Sequence, residues 1–494
     1  MGLKVILAGH NVDRQALDLR LAGEREEEAG ALSPETLSAA YARISRDPRS
    51  VDVLRAESRR EVDRARRSNQ SIIFDMGHAS VAEHATFNLD VLGLSRLAVE
   101  ALERHRLVSF TEKSQRYTRL EGEHVVPQEL QGGPLEADFR ARVEALGGLY
   151  QELARALTAA AEAQDGGGAR GRAARRALES RANEDARYAL PLCAEAQLGM
   201  TVNARSLELI IARLASHELA EARQLGLALH AAVARVAPSV IRYTQATAFS
   251  RDTGPALAAQ AERLLPARVA AQSPGEPAVR LAGHSPEPDR AVATALLFAH
   301  GRAGLEECLA AARALDAAGL RALFAEVYGR MQPWDALPRA WEAVTFTYEL
   351  VLSAAAYGQL KRHRMSTQLA QPYEPGLGRT IPESVRRAGL TGALERELGR
   401  CEELWERAAR VSPAAAAYCL TNAHRRRVLV GLNGRALGHF ARLRCDAEAQ
   451  WDIRALAGQM VAAAQAVMPF AGAFYGGKDC VDALRVNAAG ASVV

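Results

Sequence analysis

Lysine is almost missing from this chain: Lys4, Lys113, Lys361 and Lys478 are the only lysines among 62 basic residues. So one-sided an arginine preference reflects coding bias, and basic runs alone therefore say little. The formal net charge is only +4 over 494 residues. Arginine alternates with glutamate, as in Glu24-Arg25-Glu26-Glu27-Glu28, instead of collecting on one basic face, which argues against a nucleic-acid partner. Cysteine is also scarce. Cys193, Cys308, Cys401, Cys419, Cys445 and Cys480 are widely spaced, with no CxxC pair and no zinc-like grouping, so reduced, mostly buried thiols and no metal site are expected. No uncharged run reaches the length of a membrane span. The apolar start Lys4-Val5-Ile6-Leu7-Ala8 is too short for a signal-peptide core. A cytoplasmic protein with no membrane partner is the expectation.

What is present is enough for two domains. The length exceeds that at which one hydrophobic core stops growing, and 48% hydrophobic with 24% charged residues is an ordinary globular composition. Helical spacing dominates, for example from Phe139 to Ala163 and from Ser206 to Ala234. Short alternating runs at Val5–Ala8, Ala85–Val91 and Ala343–Tyr348 predict half-buried strands. The class is α+β and helix-rich. Two stretches have linker composition: Asp165-Gly166-Gly167-Gly168, and the Pro/Gly/Ser-rich region around Ser273-Pro274-Gly275-Glu276-Pro277 and Ser285-Pro286-Glu287-Pro288. The second divides the chain into a module at 1–250, a linker at 251–290 and a module at 291–494.

The two modules repeat one order of features. A glutamate (Glu83, Glu342) precedes a strand-like run, then comes an apolar helix, then Arg-His-Arg: Arg104-His105-Arg106 in the first copy and Arg362-His363-Arg364 in the second. Later each has Asn-x-Arg-x-Leu opening a helix, at Asn203 to Leu207 and Asn433 to Leu437. Placed on a helix, arginines two apart point to nearly opposite sides, so Arg104 and Arg106 address different partners. After seven intervening residues from Arg106 stands Ser114, within Glu112-Lys113-Ser114-Gln115-Arg116-Tyr117, a cluster offering a phosphate a guanidinium fork and a hydroxyl. Gly472 to Asp479 imitates a phosphate-binding loop but has Asp where magnesium needs a hydroxyl. His78, Glu83 and His84 lack metalloprotease spacing, and Arg425-Arg426-Arg427 reads as a solvated face.

Arg-His-Arg followed by seven residues and serine resembles the signature of the flavin-dependent thymidylate synthase family. Gly77-His78-Ala79-Ser80-Val81-Ala82-Glu83-His84 is similar to that family's segment upstream of the signature, Ala186 to Leu192 to its Arg-x-x-Leu-Pro-Leu, and Asn433 to Arg454 to its C-terminal signature. Family members are usually half this length, so the resemblance implies a fused tandem of two family modules, each a sheet flanked by long helices. It also implies conversion of deoxyuridylate (dUMP) to thymidylate with FAD, NADPH and methylenetetrahydrofolate, in a homo-oligomer (a dimer acting as a pseudo-tetramer). A catalytically degenerate, flavin- or nucleotide-binding regulator of the same family is the alternative.

The family's site residues carry over unequally. The first copy keeps Glu112, Ser114, Gln115, Arg116 and Arg187 for substrate, where the second has Ala370 for the glutamate, Pro372 for the serine, Glu374 for Arg116 and Ala417 for Arg187. The second keeps Gln359, Arg362 and Arg444, where the first has Ala101 for the glutamine and only the off-register Arg213 for the late arginine. It also keeps Ala449-Gln450-Trp451-Asp452 where the first has Leu219-Ala220-Glu221-Ala222. The resemblance implies that Arg444 stabilises charge developing on the uracil. It implies flavin contacts at Ser80, Arg104, His105, Arg106, Asn203, His363, Arg364, Asn433, Arg435 and His439. The losses are complementary, so the expectation is one kind of competent dUMP site drawing on both copies.

Overall fold

The computed structural model describes residues 2–25, 30–116, 122–164, 171–265 and 276–482. Tyr117 and the Asp165–Gly168 linker lie outside the described residues. Contacts between Cα atoms divide the chain into two compact units, Met1–Val269 with Ser384–Thr421, and Ala270–Glu383 with Asn422–Val494.

The first unit holds an antiparallel sheet of β1 (Lys4–His10), β2 (Thr86–Ser95), β3 (Val108–Glu112) and β4 (Glu195–Asn203) in the order β1-β2-β4-β3. The second holds β5 (Val279–His284), β6 (Thr345–Ser353), β7 (Thr367–Ala370) and β8 (Arg425–Asn433) in the order β5-β6-β8-β7. The duplication extends to the register. Thr86 pairs with Asn203 as Thr345 pairs with Asn433, and β1 and β5 are both bulged one residue before a glycine, between Leu7 and Gly9 and between Leu281 and Gly283. One difference is an extra residue in β2 at a bulge between Val91 and Leu94, where Gly93 takes φ +70°, a conformation glycine adopts without steric cost.

Period-two burial sets which face of each sheet is covered: Phe87, Leu89 and Val91 in β2, and Phe346, Tyr348 and Leu350 in β6, are all within 1% of full burial. At about 1.5–3 kcal/mol per side chain, a one-residue slip would forfeit more than any single cap or ion pair could return. In the first unit the long helix Glu136–Gln164 buries Phe139, Val143, Leu146, Tyr150, Leu153 and Leu157, a three-four stripe. Helix Thr391–Ala409 belongs to this unit as well, tied to it by Arg407–Asp138 at 2.6 Å and by an ion pair between Arg142 and Glu397. Residues 384–421 thus lie in the second sequence module and in the first compact unit.

Three sequence expectations need adjustment. The helical stretch from Ser206 to Ala234 is two helices, Ala204–Ala215 and Ala220–Val233, broken where the Leu219 amide donates to His217 Nδ1 at 3.1 Å. The stretch 251–290 is not structureless: it contains most of helix Ala248–Leu264 and all of β5. Arg425, Arg426 and Arg427 are not a solvated face. Arg425 donates to Thr380 Oγ1 at 3.0 Å, Arg427 pairs with Glu349 at 3.0 Å, and Arg426 lies 4.6 Å from the Tyr357 ring and 4.3 Å from the buried Tyr373 ring. Residues that alternate along β8 find different partners on its two faces, which sequence adjacency hides.

Candidate functional site

Each Arg-His-Arg is set by the same local construction. A serine ends the second strand of each sheet and caps the next helix: Ser95 Oγ accepts from the Ala98 amide and Ser353 Oγ from the Ala356 amide, both at 3.0 Å, a cap contributing about 1 kcal/mol. Each serine also donates to a carboxylate from the helix that follows the Asn-x-Arg helix of its copy, Ser95 to Glu221 and Ser353 to Asp452, both at 2.5 Å. Glu221 is thus the counterpart of Asp452, one residue off the pairing suggested by lining up the letters, because these helices are capped by Leu219 and Gln450. Glu221 also accepts from the Tyr418 hydroxyl at 2.6 Å, and burial pushes its carboxyl up.

The capped helices, Arg96–Glu103 and Ala354–Leu360, stop before the motif. Arg104 is already the cap residue, so the two arginines of the motif diverge in a turn and not on a helix. Arg104 and Arg106 are exposed around a His105 only 3% exposed. Leu107 follows at φ +56°, a left-handed conformation that costs a leucine about 1–2 kcal/mol and swings the chain into β3.

In the second unit the helix Gly434–Arg444 brings Arg444 back onto this turn: its Nε donates to His363 Nε2 at 2.9 Å and an Nη to the Gln359 carbonyl at 3.3 Å. Gln359 Nε2 donates to Gln450 Oε1 at 3.3 Å. Gln359, Arg362, His363 and Arg444 therefore gather around one turn. Burial, with the charges of Arg444 and Arg362, holds the His363 imidazole down at about 3, so it meets Arg444 as a neutral acceptor. His439 lies 6.1 Å from the His363 ring, edge to face. Asn433 Oδ1 caps its helix through the Ala436 amide at 2.8 Å, and Arg435 reaches Glu342 at 3.0 Å and the Leu337 carbonyl at 2.7 Å. Arg364 is half-buried.

In the first unit the matching positions are Leu214 for Arg444 and Ala101 and Leu219 for the two glutamines, all three buried in the core cluster. The polar pair has been replaced as a pair. His105 has a bond from Nδ1 to the Leu102 carbonyl at 3.0 Å, while its Nε2 is buried with no partner among the described residues. Asn203 Oδ1 caps its helix through Ser206 at 2.8 Å, and Arg205 pairs with Glu83 at 2.5 Å as Arg435 does with Glu342. Ser80 is exposed on the turn Ala79–His84.

The substrate-type cluster of the first copy is drawn together within its unit. Strand β3 ends at Glu112, which pairs with Arg96 at 2.5 Å, the two side chains being 2% and 8% exposed. Ser114 Oγ accepts from the Arg116 amide at 3.2 Å, and Arg116 pairs with Glu184. Arg187 is buried, with Nε donating to the Glu184 carbonyl at 3.2 Å. Gln115 is buried between them in sequence. Burial raises the Glu184 carboxyl against the opposing charges of Arg116 and Arg187, and burial lowers Arg187. Glu184 and Arg96 escape a motif reading, since their partners are distant in sequence.

Pairing of β7 with β8 puts Ala370 at the level of Glu112, just as the cap places Ala354 at that of Arg96. Both members of the ion pair are gone from the second copy, and Tyr373, at the position of Gln115, packs on Arg426. One stability prediction follows. Glu112→Ala removes the ion-pair partner of a buried arginine, leaving it the charges of Glu100 and Glu103, and is expected to cost about 3 kcal/mol. The double change Arg96→Ala/Glu112→Ala, which reproduces the second copy, is expected to cost distinctly less, as read by urea unfolding. Equal costs would show that the pair is not coupled.

A second prediction concerns pH. Burial, with the charges of Arg213 and Arg104, lowers His105 to about 4, whereas an unfolded histidine titrates near 6.5. Between those values the unfolded chain takes up a proton that the fold refuses. Stability is therefore full above about 6.5 and declines as pH falls toward 4, by up to ~1.4 kcal/mol per pH unit for this histidine. The difference between the wild type and His105→Phe, measured by urea midpoints at pH 7 and pH 5, isolates the effect. An unchanged slope would remove it.

Among the described residues, no group of three or more His, Cys, Asp or Glu could hold a metal ion, and no helix is long and apolar enough to cross a membrane.

The model of the family described as thymidylate synthase complementing protein matches residues 30–239 and again 280–470. A flavin-dependent thymidylate synthase from Nitratidesulfovibrio vulgaris is 34% identical over 139 residues, 27% of this chain and 50% of that protein. One from Mycobacterium sp. (strain KMS) is 36% identical over 171 residues, 34% of this chain and 66% of that protein. The matched stretch thus spans about half of the first relative and just under two thirds of the second. Among solved structures, a UMP/dUMP methylase from Streptomyces cacaoi bound with 5-Br dUMP is similar at 19% identity and a TM-score of 0.32, over 48% of this chain and 92% of that one.

Proposed function

We propose, for a chain that belongs to the thymidylate synthase complementing protein family and carries its module twice, that it is a flavin-dependent thymidylate synthase methylating dUMP. The modules are taken as 1–250 and 291–494. The observation that carries this reading is complementarity. The first copy retains Glu112, Ser114, Gln115, Arg116 and Arg187 as a substrate-phosphate set. The second retains Gln359, Arg362 and an Arg444 held at 2.9 Å from a neutral His363. Each copy has lost the other's set in coordinated pairs, Arg96 with Glu112 in one and the two glutamines in the other. A lone buried polar group is the costly state, so each pair is replaced together.

Arg116 and Arg187 bind the phosphate dianion, and Arg444 stabilises negative charge developing on the uracil. FAD is the cofactor, and the residues fit it. The buried Nε2 of His105, partnerless among the described residues, is the kind of atom a bound group would satisfy. Ser80, Arg104, His105, Arg106, Asn203, His363, Arg364, Asn433, Arg435 and His439 are the flavin contacts carried over by the resemblance. Reduced flavin, recharged by NADPH, supplies hydride, and methylenetetrahydrofolate supplies the carbon. No cysteine nucleophile is required: Cys193, Cys401 and Cys419 are buried with their thiols pushed up, the opposite of an activated thiolate.

The test is a purified protein with flavin absorbance, folate-dependent tritium release from labelled dUMP and rescue of a thymidine-requiring host. Bound flavin without turnover would overturn the enzyme reading in favour of a regulatory flavoprotein.

A further inference from the structure

Helix Ala248–Leu264 lies outside both stretches that the family model matches, so it belongs to this chain and not to the module carried twice. Its N-terminus is well made: Thr247 and Ser250 form a capping box, with Thr247 Oγ1 accepting from the Ser250 amide at 3.1 Å. Its interior is not. Gly254 and Pro255 stand inside it, the two residue types that most disfavour a helix interior, and none of its residues is buried. A helix of this length is marginal in water without tertiary packing.

An apolar stripe is available for such packing. At about 100° per residue, Phe249, Ala256, Leu257, Ala261 and Leu264 fall on one face, while Pro255 falls on the opposite one. Phe249, Leu257 and Leu264 are 78%, 63% and 79% exposed.

Charge selects what covers the stripe. By the same rotation Arg251 and Glu262 point away from it, but Asp252 and Arg263 both border it, on the same side. Eleven residues are three turns, about 16 Å, so these two cannot meet within the helix, and Asp252 instead holds Arg251 at 2.9 Å. When a helix packs antiparallel against a copy of itself, the twofold axis sets each flank against the same flank of the partner. Asp252 then faces the partner's Arg263, and Arg263 faces the partner's Asp252. In that register Leu257 lies beside the partner's Leu257, and Phe249 beside the partner's Leu264. Parallel pairing would set the charged flank against the side of Gly254 and Ala258, where no charge answers it.

We infer that helix Ala248–Leu264 is a self-association element that pairs antiparallel with the same helix of a second copy of this chain. The interface is small, at the low end of specific contacts, so the association is reversible. The inference rests on this helix alone, independent of flavin and turnover.

The experiment uses the full chain. In sedimentation equilibrium over a range of concentrations, Asp252→Arg and Arg263→Asp are each expected to weaken self-association about fivefold or more, and the double reversal to restore it to within about twofold. Under mild oxidation Leu257→Cys is expected to link to itself as a dimer. Phe249→Cys and Leu264→Cys are expected to link only when mixed, with the wild type and its exposed Cys480 as the baseline. All these side chains are exposed, so unchanged thermal melts verify folding. Self-linking of all three cysteine variants would mean parallel pairing, and no linking at all would mean no pairing; either overturns the inference. So does a double reversal no better than either single change. A Leu257→Ser chain that melts lower at unchanged mass would place the stripe on the chain's own surface, and overturns it as well.

Discussion

Replacing Arg444 with lysine is expected to cut folate-dependent tritium release from labelled dUMP by about 10²–10³-fold while the protein stays folded and retains flavin absorbance. Two terms contribute. The larger, on the role proposed for Arg444, is the loss of a rigidly positioned guanidinium facing charge that develops only in the transition state, which would appear in turnover and not in ground-state binding. The smaller is local: the 2.9 Å bond from Arg444 Nε to His363 Nε2 disappears, leaving a buried acceptor short of a donor at about 1–3 kcal/mol. An ammonium on a flexible stem keeps the charge but not the fork that reaches both the imidazole and the Gln359 carbonyl. The kinetic signature is a fall in kcat with KM for dUMP changed only a few-fold. A variant within about threefold of the wild type would remove Arg444 from the chemistry.

The duplication was legible in the sequence because it rests on short-range order. Glu83 and Glu342, the Arg-His-Arg pairs and the two Asn-x-Arg segments lie at strand and helix ends, and the sheets reproduce them in equivalent register. The pairing of Glu83 with Arg205 and of Glu342 with Arg435 gives a physical reason for two features noted only as recurring. What could not be read was contact between residues far apart in the chain. Ser95 and Glu221 are 126 residues apart, and the loop lengths before the helices of Glu221 and Asp452 differ, so lining up letters put Glu221 one place off. The aromatic stack on Arg426 was hidden for the same reason: Tyr357, Tyr373 and Arg426 come from three elements, and an arginine run looks the same whether solvated or stacked. The placement of 384–421 within the first unit follows from packing of Thr391–Ala409, whose amphipathic pattern does not specify what it packs against. Asn203 and Asn433, candidates for flavin, are also helix caps, and spacing cannot separate those roles.

Arg116→Ala and Arg444→Ala, made separately, are each expected to lower kcat/KM for dUMP, but through different constants. Loss of a charged hydrogen-bonding partner costs about 1.5–3 kcal/mol, or about 10–100-fold in KM for dUMP. The lower end applies to Arg116, because in the free protein its guanidinium is already engaged by Glu184 and phosphate binding exchanges one anion for another. Mixing the two impaired proteins, assayed at dUMP well below KM, then tests the complementarity itself. If one chain supplies both residue sets to a site, the mixture stays impaired. If two chains share them, mixed oligomers recover up to about a quarter of wild-type activity, the fraction in which an intact first copy meets an intact second. Either result is consistent with a divided residue set. A dUMP affinity unchanged by Arg116→Ala, or a turnover unchanged by Arg444→Ala, would mean that one copy suffices. The coordinated replacements Ala354 with Ala370, and Ala101 with Leu219, would then record nothing more than repacking.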